Sequence, residues 1–216
     1  MRHAALCLAV ICATAACGLP MENRAAQDVA SAATGGADEA PLAVRPLQLS
    51  GAAKRYAVLG RRSRLDVRGH DSVLGDHVLS FDRWWAHIET EPARIVVDID
   101  LTSLRSNEGL VESIVKNHML EVDKYRHATL VGTLAETSRA DRIVVDSVAD
   151  IHGKQSPLRF TGKIRPEGDG YRFAASFDMS RRAFGLAYAP AELFLDDAFR
   201  ISVDAVALPE HVTIED

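Results

Sequence analysis

From Tyr56 onward, apolar and polar residues repeatedly alternate along the chain. That period of two marks strands with one dry and one wet face. Ile95, Val97, Ile99 and Leu101 share one side, and Asp98, Asp100 and Thr102 share the other. Ile143, Val145, Ala149 and Ile151 oppose Asp146 and Asp150. Leu158, Phe160 and Ile164 oppose Arg159, Thr161, Lys163 and Arg165. Tyr171, Phe173, Ala175, Phe177 and Met179 alternate with Arg172, Ser176 and Asp178, and Phe199, Ile201, Val203 and Ala205 with Arg200, Ser202 and Asp204. The run Pro166-Glu167-Gly168-Asp169-Gly170 marks a hairpin between two such segments, and Ser138-Arg139-Ala140-Asp141 a weaker turn. Many strands of this kind, joined by short turns, predict a mainly β protein whose antiparallel strands close into a barrel or a sandwich, because closure removes exposed edges.

One segment departs from the period. Between Asn107 and Met119 the apolar residues fall at Leu110, Val111, Ile114, Val115 and Met119, a helical spacing, with Glu112, Lys116 and Asn117 elsewhere on the wheel. Ser106 or Asn107 is placed to cap its start, and Glu108 lies near the positive end of the helix dipole. The expectation is one amphipathic helix covering the barrel or plugging one end.

The first fifty residues have a different character. Residues 1–16 read as a secretory signal: Arg2 is the positive start, and Leu6 to Ala13 is an apolar run too short to span a membrane. Thr14-Ala15-Ala16-Cys17 follows, a small-residue stretch before cysteine that resembles a bacterial lipobox. This reading makes Cys17 the lipidated N-terminus of the exported protein; the alternative is ordinary signal cleavage after Ala16. Residues 17–50 are rich in Ala, Gly, Asp and Glu, with Pro20, Pro41 and Pro46 as breakers, and read as a flexible tether. The body is expected over 51–208, with a short tail at 209–216. Such a protein is expected in the bacterial envelope, anchored by lipid and facing the periplasm, or is soluble in the periplasm or secreted if Cys17 is not acylated.

Composition narrows the chemistry. Cys7, Cys12 and Cys17 are the only cysteines, so the body holds no disulfide, no thiol nucleophile and no cysteine-based metal site. Net charge is −5 with no basic stripe, which argues against a nucleic-acid partner. No G-x-S-x-G elbow or P-loop occurs. His70, Asp71, Asp76, His77 and His87 cluster in sequence, but their spacing matches no helix-borne metal motif. Asp98 and Asp100 share a face, as acid–base chemistry would want, yet it is the polar face of a strand. The expectation is a protein without catalytic activity and without a cofactor.

Four segments in order resemble the YceI family. They are Val97-Asp98-Ile99-Asp100-Leu101-Thr102-Ser103-Leu104 before the helix; His118-Met119-Leu120-Glu121-Val122-Asp123-Lys124-Tyr125 at its exit; Asp150-Ile151-His152-Gly153-Lys154-Gln155-Ser156-Pro157-Leu158; and Ser180-Arg181-Arg182-Ala183-Phe184-Gly185-Leu186. The resemblance covers roughly residues 52–207. Arg126-His127 stands where the family often has a proline. What the resemblance implies is a lipocalin-like antiparallel β-barrel around an elongated apolar pore, with no catalytic hallmark. The implied partner is an isoprenoid or fatty-acyl lipid.

The inward rows nominate Phe81, Trp85, Val97, Ile99, Phe160, Phe173, Phe177 and Phe184 as the residues that meet such a ligand. Only one of the adjacent Trp84 and Trp85 can face inward on a strand. Arg181, Arg182 and His152 read as solvated surface charges, with a donor to a polar head at the mouth as the alternative. The competing readings are an envelope lipoprotein whose barrel is filled by its own side chains and, further off, a metal-dependent enzyme.

Overall fold

The computed structural model describes residues 45–49, 55–73, 75–139 and 141–210. The signal segment, Cys17 and the tail at 211–216 lie outside the described residues. The strands are β1 (Arg45–Pro46), β2 (Arg55–Val58), β3 (Arg64–Asp71), β4 (Gly75–Phe81), β5 (Trp84–Thr90) and β6 (Ala93–Asp100), followed by β7 (Leu104–Ser106), β8 (His127–Glu136), β9 (Arg142–Ile151), β10 (Lys154–Glu167), β11 (Gly170–Ser180) and β12 (Ala198–Pro209). Each pairs antiparallel with its neighbour, and the sheet closes as an eight-strand barrel. Three of the eight staves are broken in two: β2 and β3, β4 and β5, and β6 and β7 each act as one interrupted strand. β1 pairs with the end of β8 and Leu47 is buried in the core, so the chain joins the body by Arg45 rather than at residue 51.

The alternation read from the sequence holds in space. Ile95, Ile143, Val145, Phe160, Ile164 and Phe173 gather with Tyr56 and Tyr171 in one buried cluster toward the β10–β11 turn. Leu101, Leu104, Met119, Leu120, Phe184 and Phe199 form a second toward the helix. The Tyr56 and Tyr171 rings meet edge to face, centroids 5.2 Å apart, in the first cluster.

The helix is shorter than its apolar spacing predicts. It runs over Gly109–Ile114 and passes into a π turn over Val115–Met119. The extra residue of that turn, closed by Leu120 N–H donating to Val115 O at 2.8 Å, rotates the face that meets the barrel. Met119 and Leu120 are buried, while Leu110, expected on the apolar face, is 71% exposed. Glu108 occupies the cap position without a side-chain bond of its own to the helix. Instead Glu112 accepts from Ser106 N–H at 3.0 Å and the Ser106 hydroxyl accepts from Glu108 N–H at 3.2 Å.

Two of the segments that carried the resemblance turn out to be mechanical. His152 and Gly153 both have positive φ, 56° and 69°, the backbone of a two-residue hairpin of the primed type between β9 and β10. A Cβ on Gly153 would lie 2.8 Å from the Tyr125 ring. His152 Nε2–H donates to Glu121 at 2.6 Å, tying this hairpin to the helix exit. Arg181 is wholly buried. Its guanidinium donates to Glu192 at 2.6 and 3.2 Å and to the carbonyls of Leu186, Leu195 and Asp196, which folds the loop between β11 and β12 around one charge. A buried cation needs this full set of partners.

The break between β6 and β7 is equally saturated. Asp100 accepts from Thr102 N–H and Arg83 at 3.0 Å each, and the buried Ser103 hydroxyl accepts from Arg83 N–H at 2.9 Å. The Thr102 hydroxyl, then Arg83 and Thr102 N–H, hold the Asp100 carboxyl at about 2 against an ordinary 3.8.

Two outcomes follow for stability. Gly153→Ala forces a left-handed conformation and a ring contact, so urea unfolding should show a loss of about 1–2 kcal/mol. A depressed folded pKa means that Asp100 stabilises the fold above its unfolded value and ceases to as pH falls through about 2. Asp100→Asn should therefore cost about 1–2 kcal/mol at neutral pH, with the gap to wild type closing as denaturation midpoints are measured at successively lower pH.

Candidate functional site: the barrel lumen

Inside the barrel lies a cavity of about 180 Å³, lined by residues of both buried clusters and presenting apolar surface. Every stave contributes, among them Leu65 and Val67 from β3, Leu79 from β4, Leu130 from β8 and Ile201 from β12. A volume of this kind would hold roughly a dozen waters at ~10–15 Å³ each, but a water needs polar partners, and an apolar cavity stays dry. The cavity therefore suits an apolar chain and nothing that must be hydrated. The stacked rings of Phe160 and Phe177, centroids 4.0 Å apart at 13°, form part of its wall.

Six of the eight nominated residues lie on this lining: Phe81, Val97, Ile99, Phe160, Phe173 and Phe177. Trp85 does not. It stands on the outer surface, 49% exposed, with its ring stacked on His87 at 5.7 Å. The inward tryptophan is Trp84, because β5 begins at that residue in register with Ile99 of β6. Phe184 is buried but lies off the lumen, in the turn Arg182–Phe184 that helps fill the helix end. The lining residues Leu65, Val67, Leu79 and Leu130 were not nominated, although alternation within β3 and β4 marks the first three. Gly162, between Phe160 and Ile164 on the inward row, leaves no free space, because a Cβ there would meet the Phe173 ring at 2.6 Å.

The polar candidates are committed elsewhere. Arg181 is saturated within its loop, and His152 is engaged by Glu121. Arg182 is exposed and paired with Glu192 and Asp197. The histidines form separate pairs: His70 with Asp76 at 2.7 Å, His77 with Glu108 at 3.0 Å and His127 with Asp98 at 2.7 Å. Among the described residues no three His, Cys, Asp or Glu side chains converge as a metal site. Asp98 and Asp100, on the polar face, serve His127 and the β6–β7 break respectively.

Comparison with known structures agrees with this architecture. BcnA of Burkholderia cenocepacia superposes with a TM-score of 0.63 at 16% identity, covering 69% of this chain and 98% of that one. A polyisoprenoid-binding domain from Saccharophagus degradans, implicated in plant cell wall breakdown, gives 0.61 at 12% identity, covering 73% and 99%. A Campylobacter jejuni YceI protein gives 0.50 at 14% identity, covering 59% and 83%. At these identities the likeness is one of fold. No curated protein matches the chain. The model of the YceI-like domain matches residues 56–207, almost the whole barrel, and this chain belongs to that family.

Proposed function

We propose that this protein binds a long apolar ligand, an isoprenoid or acyl chain, in the barrel lumen and carries it without chemical change. The observation that carries this reading is the apolar cavity inside the barrel, to which every stave contributes. The YceI-like family and the polyisoprenoid-binding domain from Saccharophagus degradans, which shares the fold, support the ligand class. Burial supplies the affinity: each methylene removed from water contributes about 0.8 kcal/mol, so ten give several kcal/mol after ordering costs. No charged side chain is needed along the lumen.

The same proposal places the protein in the bacterial envelope as a lipoprotein, exported by residues 1–16 and anchored through Cys17. Two or more acyl chains on that residue anchor stably where one does not. In that setting the carrier works beside the membrane that holds its cargo.

Native mass spectrometry of protein purified from its own membrane tests the carrier reading: a stoichiometric isoprenoid or acyl compound should be released on denaturation. A barrel that stays empty after incubation with polyprenyl and fatty-acid lipids would leave a structural or partner-binding role. Val97→Phe, which adds bulk at mid-lumen, should weaken binding of an added polyprenol by about tenfold while circular dichroism stays unchanged. Cys17→Ser should move the protein from the membrane fraction to the soluble periplasmic fraction; retention on the membrane would refute the anchor.

A further inference from the structure

The barrel wall is not paired along its whole length. β2 bonds to β5 over Arg55–Ala57 against His87–Glu89, and β3 bonds to β4 over Asp66–Asp71 against Gly75–Ser80. Between these two ladders, residues 58–65 of one stave face 81–86 of the next without strand pairing. The breaks on either side are bridged. Ser103 joins β4/β5 to β6/β7 by accepting from Arg83 N–H and Asp82 N–H. Ser63 and Leu59 join the bulge of β2/β3 to β12 through Val206. In the unbridged interval lies a second cavity, of about 310 Å³, lined by Ser63, Arg64, Ser80 and Asp82. It shares Leu65, Phe81 and Trp84 with the apolar lumen.

We propose that this lateral vestibule binds the anionic head group, carboxylate or phosphate, of an amphiphile whose tail occupies the lumen. The inference rests on the lipid-binding reading and adds where the polar end goes. Toward each end of the barrel stand buried side chains that lie off the lumen lining, Tyr56 and Ile143 at one and Met119 and Phe184 at the other, so a head leaving by an end must displace a packed cluster. In the side wall the two cavities share Leu65, Phe81 and Trp84, with apolar neighbours in one lining and polar neighbours in the other, which is what an amphiphile demands.

Among the residues that line the vestibule, Arg64, Ser63 and Ser80 carry donors, and Arg61 and Arg62 precede them in sequence. Arg64 engages Asp66 through Nε at 2.7 Å, a contact that orients the guanidinium, and Arg62 engages Glu167 at 2.7 Å. A carboxylate or phosphate is recognised through the terminal guanidinium nitrogens. The Ser63 hydroxyl accepts from Val206 N–H and keeps its own hydrogen to give. Asp82, the carboxylate on the lining, is paired with Arg105 at 2.9 Å, and Asp66 with Arg64.

The test uses the whole protein with Trp85, which stands outside the barrel, replaced by Phe, so that Trp84 is the sole tryptophan. A fatty acid is compared with its methyl ester, and farnesyl phosphate with farnesol. The anionic member of at least one pair should bind about tenfold more tightly, and the pair with the larger ratio identifies the head as carboxylate or phosphate. Arg64→Gln should erase that preference. Ser80→Phe, which fills the vestibule and keeps the Arg64–Asp66 pair, should do the same. A fatty acid brominated near its carboxylate should quench Trp84 more strongly than one brominated near its methyl end. Equal affinity within both pairs, or stronger quenching from the methyl end, overturns the head-group site and leaves lumen binding standing. Failure of all four compounds to bind overturns both readings.

Discussion

Everything in this barrel depends on β12 finding two partners at once. Along one edge it pairs with β11 from Tyr171↔Ala207 to Ser180↔Ala198; along the other it pairs with β3 and then with β2. Without that strand the sheet has two open edges and no inside. With it, the inward rows of all eight staves face one another, and the apolar surface that each strand alone would expose becomes a shared core. The outer faces of β11 and β12 carry Arg200 bonded twice to Asp178, and Arg172 bonded twice to Asp204. Such surface pairs add little stability, but they match the register that closure requires.

The lumen follows from how the ends are built. A barrel of this size can be filled by its own side chains or hold one small ligand. Here large side chains stand toward both ends and on the lining itself. Tyr56, Tyr171 and Phe173 crowd the β10–β11 end, while the helix exit and the loop organised by Arg181 crowd the other. The intervening rows carry Val67, Val97, Leu130 and Val203, which are too small to meet across the middle. A void remains that presents apolar surface. The broken staves complete the picture, since an interrupted strand gives the wall a place where polar and apolar surroundings meet.

The segments that make the chain recognisable are therefore those that hold the container together. Ile151-His152-Gly153 is a tight hairpin pinned by Tyr125 and Glu121, and Ser180-Arg181-Arg182-Ala183-Phe184-Gly185 is the anchor of an end loop. Of these residues only Ile151 lies on the lumen lining. They identify the fold well and the ligand poorly, because the residues that would touch a ligand are ordinary Val, Leu and Phe on alternating positions.

What the sequence determined by itself is the set of strands, the face each residue takes and the two clearest turns, because alternation and turn chemistry are local. Ile95, Val145, Phe173 and Ile201 are inside for reasons visible within their own ten residues. The tertiary structure alone decided what crosses between strands. Trp84 rather than Trp85 faces the lumen, because the break at Asp82-Arg83 sets where β5 begins and hence its parity. Gly162 yields its space to Phe173 on the neighbouring strand, and Arg181 is buried by partners five to fifteen residues away in a folded loop. Whether a cavity survives at all is a sum of volumes over eight staves. No local pattern records that sum, because each strand contributes one row of side chains and the void is what those rows leave between them.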